Sequence, residues 1–514
     1  MRTDVSALRR GPADSLGYRR LVAGPGEPHV VRHDLLAAAP DGEPLLTVAH
    51  LSDLHLCDAQ SPARVEFLDR WADPDSPLLP QLQQVGTYRA QDLLTAQVAE
   101  AAVQSVNALR GVDLALVTGD ATDNAQANEV DWYLRLLEGG IVHPDSGDLT
   151  RWEGVADDTD LDERFWHPGG PATDLPRIRY GLPGVPGLLD AARRAFPATG
   201  LEVPWLAVHG NHDRMLQGTV PSTGPLAKAS TGPFKPVAVP THWTTDAVLR
   251  LLQGLESCAT DAVAALAGMT MRLVSPDAQR RCVSRSEFVD AHFGPLARPL
   301  GHGFDVAGGT TGRAYYRHDH GPVTILALDT VNDAGGWQGS LDEPQLAWLE
   351  TELAAADTER RYVVLASHHP LHTLVNDRSD SGRRVLSQEL SRVLNRHRSV
   401  VLWLNGHTHH TTAAPHKHFW EVTAPSLIDW PQQTRLVSLD RAANGSLTIT
   451  VTMVDHAAPP TWTGQLDSPL ELAALSRELA ANDWQWRAHH VDAHPRAGSS
   501  DERNAHLLLP DPWP

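Results

Sequence analysis

Short, largely apolar runs alternate along this chain with polar residues that can do chemistry. Leu45–Leu51, Val112–Val117 and Pro204–Val208 are three such runs, and Asp, His or Asn follows soon after each of them. Tyr362–Ala366 and Val400–Leu404 repeat the pattern. Short apolar runs bounded by Gly, Pro or polar residues are typical of buried strands. We therefore predict five buried strands, each with candidate functional side chains at its carboxyl end.

The segments between these runs have apolar residues at helical spacing, and this alternation indicates the fold class. Tyr88–Leu109 and Leu341–Leu353 both have this spacing, and strands that alternate with helices indicate an α/β architecture. In open α/β sheets, ligands bind beyond the carboxyl ends of the strands. Farther along, Phe419–Thr423, Thr434–Leu439 and Ser446–Val454 are rich in β-branched residues and are separated by turns. They predict an antiparallel meander that contributes to a second sheet.

Two long stretches interrupt the alternation of strands and helices, at about residues 125–201 and 214–311. The second contains a predicted helix over Thr244–Met271. Loops of this length are usually functional or disordered, and both a partly ordered cap over the site and plain surface insertions remain open. We predict an N-terminal arm (1–45), a catalytic domain with these two insertions (46–455), and a helical or irregular tail (456–514) with a helix over Leu470–Asn482.

Composition limits the classes of partner. The 514 residues carry a formal net charge of −20, which makes nucleic acid an unlikely partner because nucleic-acid binders usually present a basic face. No run of about 18 apolar residues predicts a membrane span, and no secretory signal is visible, so we expect a cytoplasmic protein. Cys57, Cys258 and Cys282 match no zinc-ribbon or redox spacing. Cys57 is expected to be a small buried side chain.

The side chains that follow the five predicted strands form a set of metal-ligand types. Two are carboxylates, one is an amide and four are imidazoles: Asp53, His55, Asp120, Asn211, His368, His407 and His409. Mixed nitrogen and oxygen ligands suit first-row transition metals. Seven ligands are too many for one tetrahedral ion, but they suit two ions that share a bridging carboxylate. Two ions about 3.5–4 Å apart can stabilise both the attacking and the leaving oxygen of an in-line displacement.

The order of these motifs resembles the signature of the calcineurin-like metallophosphoesterases. The matching blocks are Asp53-x-His55, Gly119-Asp120-x-x-Asp123, Gly210-Asn211-His212-Asp213, a strand-end His368, and Gly406-His407-x-His409. They span roughly residues 46 to 455. The resemblance implies a four-layer α/β/β/α sandwich, in which two mixed sheets are flanked by helices and carry long insertions. It also implies dinuclear hydrolysis of a small phosphomonoester or phosphodiester.

The resemblance further implies a role for each matching residue. Asp53, His55 and His409 would bind the first metal, whereas Asn211, His368 and His407 would bind the second. Asp120 would bridge two ions such as Mn, Fe or Zn, and a bridging water or hydroxide would be the nucleophile. His212 would protonate the leaving oxygen, held in place by Asp123, although a role for His212 as a substrate clamp stays open. Structural or supporting roles are expected for the flanking His209, His369 and His410.

This sequence lacks residues that are typical of two subgroups of the family, so its resemblance is to other members. Asn124-Ala125 replace the Arg-Gly of protein Ser/Thr phosphatases, and no tyrosine stands at Thr122 or Asp123, as a purple acid phosphatase would require. The pattern is closer to bacterial cyclic-nucleotide phosphodiesterases. Two alternatives remain, a nuclease and an inactive scaffold with the same fold. The acidic composition disfavours the nuclease, and the complete ligand set disfavours the scaffold.

Overall fold

The computed structural model describes residues 1–82, 88–157, 162–220, 225–240, 242–256, 264–380, 382–489 and 495–513. The strands within these ranges are, in chain order, β1 (Ser6–Ala13), β2 (Arg19–Pro25), β3 (Val30–Arg32), β4 (Gly42–Leu51), β5 (Leu114–Thr118), β6 (Gly140–Val142), β7 (Phe196–Ala198), β8 (Trp205–Val208), β9 (Phe234–Ala238), β10 (Thr270–Leu273), β11 (Tyr316–His320), β12 (Val323–Ala327), β13 (Leu341–Asp342), β14 (Tyr362–Ala366), β15 (Arg384–Val385), β16 (Val400–Asn405), β17 (Thr412–Pro415), β18 (Trp420–Thr423), β19 (Gln433–Ala442), β20 (Leu447–Asp455) and β21 (Ala505–Leu509). The α-helices are Leu79–Leu82, Thr95–Asn107, Ala127–Glu138, Leu175–Tyr180, Leu188–Ala192, Pro225–Ala229, Thr245–Glu256, Arg285–Ala291, Val306–Thr311, Glu343–Glu359, Ser387–Leu394, Pro469–Ala480, Trp484–His489 and Ser500–Arg503.

Two mixed sheets form the centre of the fold. The larger has seven strands in the order β3-β21-β20-β19-β4-β5-β8, and the smaller has six in the order β11-β12-β14-β16-β18-β17. Strands β4, β5 and β8 are parallel neighbours in the first sheet. Strands β14 and β16 are parallel neighbours in the second. These are the five strands predicted from the apolar runs, so their carboxyl ends meet at one edge of each sheet.

Side-chain alternation along the six-stranded sheet separates two apolar layers. Ile325 and Val364 point into a core shared with the seven-stranded sheet, whereas Leu326 and Val363 point into a second core. The second core includes Leu349, on the helix Glu343–Glu359. Helices Thr95–Asn107 and Pro469–Ala480 pack together against the seven-stranded sheet. The predicted α/β/β/α architecture is therefore confirmed.

Two predictions of local structure are corrected. The three late strands do not form one meander, because β18 pairs with β16 and β17 in the six-stranded sheet whereas β19 and β20 join β4 in the other. The predicted helix over 244–271 is shorter: the helix Thr245–Glu256 is followed, after residues outside the described ranges, by strand β10. Apolar content identifies such segments, but pairing partners are chosen by tertiary contacts.

The predicted N-terminal arm and the predicted C-terminal tail each contribute a strand to the seven-stranded sheet. Strand β3 of the predicted arm pairs in parallel with β21 of the predicted tail, and β21 pairs with β20. The predicted tail helix is present as Pro469–Ala480, with the Ser468 side chain accepting a hydrogen bond from the nitrogen of Glu471 at its start. The division at residues 45 and 455 itself stays a prediction. In the described part of the chain, no helix is long and apolar enough to cross a membrane.

Candidate metal centre

The seven candidate ligands gather where the two sheets meet. Asp53 and Asp120 lie two residues beyond β4 and β5, and Asn211 lies three residues beyond β8. His368 and His407 lie two residues beyond β14 and β16. Since these strands run in parallel within each sheet, their carboxyl ends deliver all seven side chains to one place. Six of the seven are buried and His407 is half-buried, so the cluster opens towards solvent at His407.

Most of the ligand backbone adopts a conformation that is unusual for residues other than glycine. Asp53, His55, Asp120, His407 and His409 all have φ between 48° and 68°. A left-handed conformation costs about 1–3 kcal/mol at a non-glycine residue, and such residues concentrate at functional sites. Five of the seven candidate ligands are therefore held in strained turns by the sheets around them.

Two glycines permit the close approach of these turns. A Cβ atom at Gly210 would collide with the backbone nitrogen and the carboxylate of Asp120. A Cβ atom at Gly406 would collide with the side chains of Ser52 and Asp53. Gly210 is thus required by a contact within the seven-stranded sheet, and Gly406 by a contact between the two sheets.

Three side chains form a first ligand group. The Nε2 atoms of His55 and His409 face each other at 3.0 Å, and the Oδ1 atom of Asp53 lies 3.3 Å from His409 Nε2. The opposite nitrogen of each ring faces a carboxylate: His55 Nδ1 is 3.1 Å from Asp123, and His409 Nδ1 is 2.6 Å from Asp429. Because each Nδ1 donates to a carboxylate, both Nε2 lone pairs are directed into the cluster.

Three further side chains form a second group. Asn211 Oδ1 lies 2.9 Å from both His368 Nε2 and His407 Nδ1. The amide nitrogen of Asn211 donates to the carbonyl of Gln217 at 3.0 Å, which directs Oδ1 towards the two rings. His368 Nδ1 donates to the carbonyl of Thr118 at 2.8 Å, so its Nε2 carries the inward lone pair.

The Asp120 carboxylate lies between the two groups. Its Oδ2 atom is 3.2 Å from His368 Nε2 and 3.8 Å from His55 Nε2. Its Oδ1 atom accepts a hydrogen bond from the backbone nitrogen of His212 at 2.7 Å. Asp120 Oδ2 thus approaches a ring nitrogen of each group, which is the position expected of a shared ligand.

Protonation follows from burial and from the neighbouring carboxylates. Burial opposes the charged imidazolium, but the carboxylates of Asp123 and Asp53, as acceptors, raise the pKa of His55 to about 9, and Asp120 raises the pKa of His368 to about 9. Burial lowers the pKa of His409 to about 3. Although burial alone would raise the pKa of Asp53 and Asp120, the adjacent imidazoles hold both pKa values well below the usual range.

These contacts fit two metal ions. In the first group two nitrogen lone pairs and a carboxylate converge, and in the second an amide oxygen converges with two imidazoles. Acceptors at such distances repel each other unless a proton or a cation lies between them. In metal-binding histidines, the ring nitrogen that does not bind the metal commonly donates a hydrogen bond that fixes the orientation of the ring. The rings here are fixed in the same way, which leaves their inward nitrogens for a metal.

His212 and Asp123 lie beside the first group. Asp123 Oδ1 is 3.2 Å from His212 Nδ1 and 3.1 Å from His55 Nδ1. The other oxygen of Asp123 is paired with the Arg64 guanidinium, and with this charge adjacent the pKa of Asp123 is well below its usual range despite burial. Asp123 therefore fixes two rings at once, and His212 Nε2 is the ring nitrogen left for another partner.

Sequence reasoning missed Asp429 and the two arginines behind it. Asp429 accepts from His409 Nδ1, and its carboxylate also pairs with Arg89, at 2.8 Å, and with Arg496. Asp429 lies six residues beyond the end of β18, whereas the predicted ligands lie two to four residues beyond their strands, so the rule that finds those ligands does not reach Asp429. Arg89 and Arg496 are 407 positions apart and follow no such rule.

The other singled-out side chains lie outside the two ligand groups. His369 is near His368 and His407, but its two nitrogens face the hydroxyl of Thr330 at 2.8 Å and the carbonyl of Trp337 at 3.0 Å, which indicates a structural role. His209 Nδ1 lies 3.6 Å from Asp329 Oδ1, and His410 Nδ1 lies 2.6 Å from the carbonyl oxygen of Thr408. Cys57 is buried as expected, and Cys258 lies outside the described residues.

Comparisons with known proteins give short or distant matches. No family model matches the chain. A Synechococcus sp. (strain WH7803) protein named "Probable cyclic nucleotide phosphodiesterase" is 33% identical over 106 residues, which cover 20% of this chain and 40% of that protein. The chain thus spans less than half the length of the curated relative that it matches.

Solved structures resemble the chain at low sequence identity. A dimetal phosphatase from Danio rerio has a TM-score of 0.36 and 12% identity, covering 81% of this chain and all of that one. Purple acid phosphatase PPD1 from yellow lupin seeds has a TM-score of 0.30 and 11% identity, covering 85% of this chain and 55% of that one. Similarities this low assign neither an activity nor a substrate.

Proposed function

We propose that this chain is a dinuclear metal-dependent hydrolase of small phosphomonoesters or phosphodiesters. The observation that carries the proposal is the Asp120 carboxylate, which lies between two groups of converging imidazole, amide and carboxylate ligands. Each group offers a mixture of nitrogen and oxygen donors, which suits Mn, Fe or Zn. Asp53, His55 and His409 would hold one ion and Asn211, His368 and His407 the other, with Asp120 shared.

When bound, the two ions would polarise the phosphoryl oxygens and lower the pKa of water, which makes a nucleophile available near neutral pH. Water then adds to phosphorus, the P–O bond to the leaving group breaks, and the leaving oxygen gains a proton. The net products are an alcohol and a phosphate, or a phosphomonoester when the substrate is a diester.

His212 would supply that proton from Nε2. Asp123 Oδ1, 3.2 Å from His212 Nδ1, favours a proton on Nδ1, so Nε2 faces the remaining partner. Arg64 compensates the Asp123 charge and holds the carboxylate in place. A role for His212 as a phosphate clamp would use the same nitrogen, and the two roles differ in their dependence on the leaving group.

Metal analysis combined with hydrolysis assays tests the proposal. We expect about two metals per chain after Mn²⁺ supply, and hydrolysis of p-nitrophenyl phosphate, bis-p-nitrophenyl phosphate or cyclic AMP that EDTA abolishes. The preferred ester would identify the substrate class. Absence of both metals and turnover under several metal supplies would instead favour the inactive scaffold.

Variants of Asp120 test the shared ligand. Asp120→Ala should lose both metals and nearly all turnover, whereas Asp120→Asn keeps the shape but removes the charge and should weaken both sites. Asp319→Asn, an exposed carboxylate on β11, is the control and should leave metal content and rate unchanged. If Asp120→Ala kept two metals, the bridging assignment would be wrong.

A further inference from the structure

One tryptophan is exposed beside the open side of the metal centre. All 15 tryptophans lie in the described part of the chain, and Trp337, at 40%, is the only exposed one among them. Its indole is stacked towards the ring of His407, with centroids 6.0 Å apart and planes at 28°. His407 is in turn the one candidate ligand that is only half-buried. Trp337 therefore borders the mouth of the site.

The segment that carries Trp337 is held from both sides. The Asn376 amide donates to the carbonyls of Gly335 and Gln338, both at 2.9 Å. The carbonyl of Trp337 itself faces His369 Nε2 at 3.0 Å. At Gly336, whose φ is 87°, a Cβ atom would come within 3.0 Å of the Asn376 amide nitrogen. The indole is thus presented by a fixed turn rather than by a free loop.

Charged contacts tie the same segment to the second insertion. Asp333 pairs with Arg285 at 2.9 Å and with Arg214, and Arg285 also pairs with Asp329 at 3.2 Å. Arg214 lies three residues after Asn211, a candidate ligand. The position of Trp337 is therefore coupled to the turn that carries part of the second ligand group.

A rigid aromatic face that is exposed at the mouth of a site is a common platform for planar ligands. Resting on the proposed function, we infer that Trp337 is a specificity-determining residue that stacks against a planar aromatic group of the substrate, such as a nucleobase. The phosphoryl group would lie at the ligand cluster and the aromatic group would extend past His407. The substrate class is accordingly a nucleotide or another phosphate ester with an aromatic organic group.

Two phosphate esters separate stacking from phosphate binding. AMP and ribose 5-phosphate share the phosphate and the sugar and differ in the base. With the Mn²⁺-loaded protein, we expect AMP to inhibit hydrolysis of p-nitrophenyl phosphate at least several-fold more tightly than ribose 5-phosphate does. Trp337→Ala should weaken inhibition by AMP about 5- to 100-fold and leave ribose 5-phosphate within about twofold. Trp337→Phe should retain most of the preference.

Controls distinguish stacking from damage to the site. Phe234→Ala removes another exposed aromatic side chain, 57% exposed on β9, and should change neither inhibition constant. Metal content should stay at about two per chain in every variant. Loss of one metal in Trp337→Ala would mean that the indole supports His407 instead, and the inference would be wrong.

Two further results would overturn the inference while leaving the proposed function intact. One is a wild-type protein that hydrolyses the ester but binds AMP no more tightly than ribose 5-phosphate. The other is an equal loss for both inhibitors in Trp337→Ala. In contrast, wild-type protein that binds no metal and hydrolyses none of the three test esters would contradict the proposed function itself, whatever the Trp337 variants do.

Discussion

Replacing Asp429 by asparagine tests whether the carboxylate behind His409 supports the first ligand group. Asp429 Oδ2 lies 2.6 Å from His409 Nδ1, and His409 Nε2 faces Asp53 at 3.3 Å. A charged acceptor fixes the tautomer and increases the basicity of the inward nitrogen. Changing such an outer contact typically costs 10- to 100-fold in metal affinity, which is about 1.4–2.7 kcal/mol. We expect that loss at one metal only.

The substitution also changes the charge balance around Asp429. The carboxylate pairs with Arg89, at 2.8 Å, and with Arg496, and all three side chains are at most 10% exposed. Removing one partner of a buried ion pair costs about 3–5 kcal/mol because a buried charge loses its counter-charge. Asp429→Asn should therefore unfold at a lower temperature, so the metal titrations belong well below its unfolding midpoint.

The chain contains a matched control for this experiment. His397 Nδ1 lies 2.7 Å from Asp357 Oδ2, a similar contact outside the two ligand groups. Competition with a chromophoric chelator gives the two Mn²⁺ or Zn²⁺ constants of the wild type, Asp429→Asn and Asp357→Asn. We expect only Asp429→Asn to weaken one constant. Two unchanged constants, or an equal fall in both, would refute the assignment of His409 to a separate first group.

Three further predictions follow from the same geometry. His212→Ala should keep both metals and lose about 10²- to 10⁴-fold in rate on alkyl esters but far less on p-nitrophenyl esters, whose leaving oxygen needs little protonation; steady-state kinetics that show equal losses would contradict the acid role. Metal affinity should rise with pH up to about 9, because His55 and His368 must release protons before they bind a metal. The raised pKa values of these two histidines also stabilise the metal-free protein below about pH 6.5, and this stabilisation should be lost between pH 6.5 and 9. A pH-independent metal affinity in calorimetric titrations would contradict the first expectation. Gly210→Ala should lose metal because its Cβ collides with Asp120, whereas Gly268→Ala, with open space around it, should bind metal normally in the same elemental analysis.

The candidate ligands could be found from sequence because their signal is local. A buried parallel strand needs a continuous apolar run, and a functional side chain at its carboxyl end follows within two or three residues. Asp53, Asp120 and His368 all satisfy that rule. Their convergence required that β4 and β5 be neighbours in one sheet and that β14 and β16 be neighbours in the other. It also required that the two sheets pack with these strand ends together, as the contact between Asp120 and His368 shows.

The supporting side chains could not be found in this way, because their partners are distant in sequence. Arg496 reaches Asp429 from the predicted tail, and Arg64 reaches Asp123 from an irregular segment. The same limit explains the incorrect meander: the apolar pattern of β18 predicts a strand, but the choice between β16 and β19 as its neighbour depends on the packing of both sheets. Local periodicity carries no information about such partners.

The sequence motifs do not reveal the backbone strain at the candidate ligands. Asp53, His55, Asp120, His407 and His409 are all left-handed, at a cost of about 1–3 kcal/mol each, yet none of them is glycine. Relaxing any one of these turns would rotate its side chain away from the cluster. The sheets and the contacts behind the rings hold these turns, and with them the candidate ligands, in place. A motif identifies which residues can coordinate metal, and the surrounding fold decides whether their lone pairs converge.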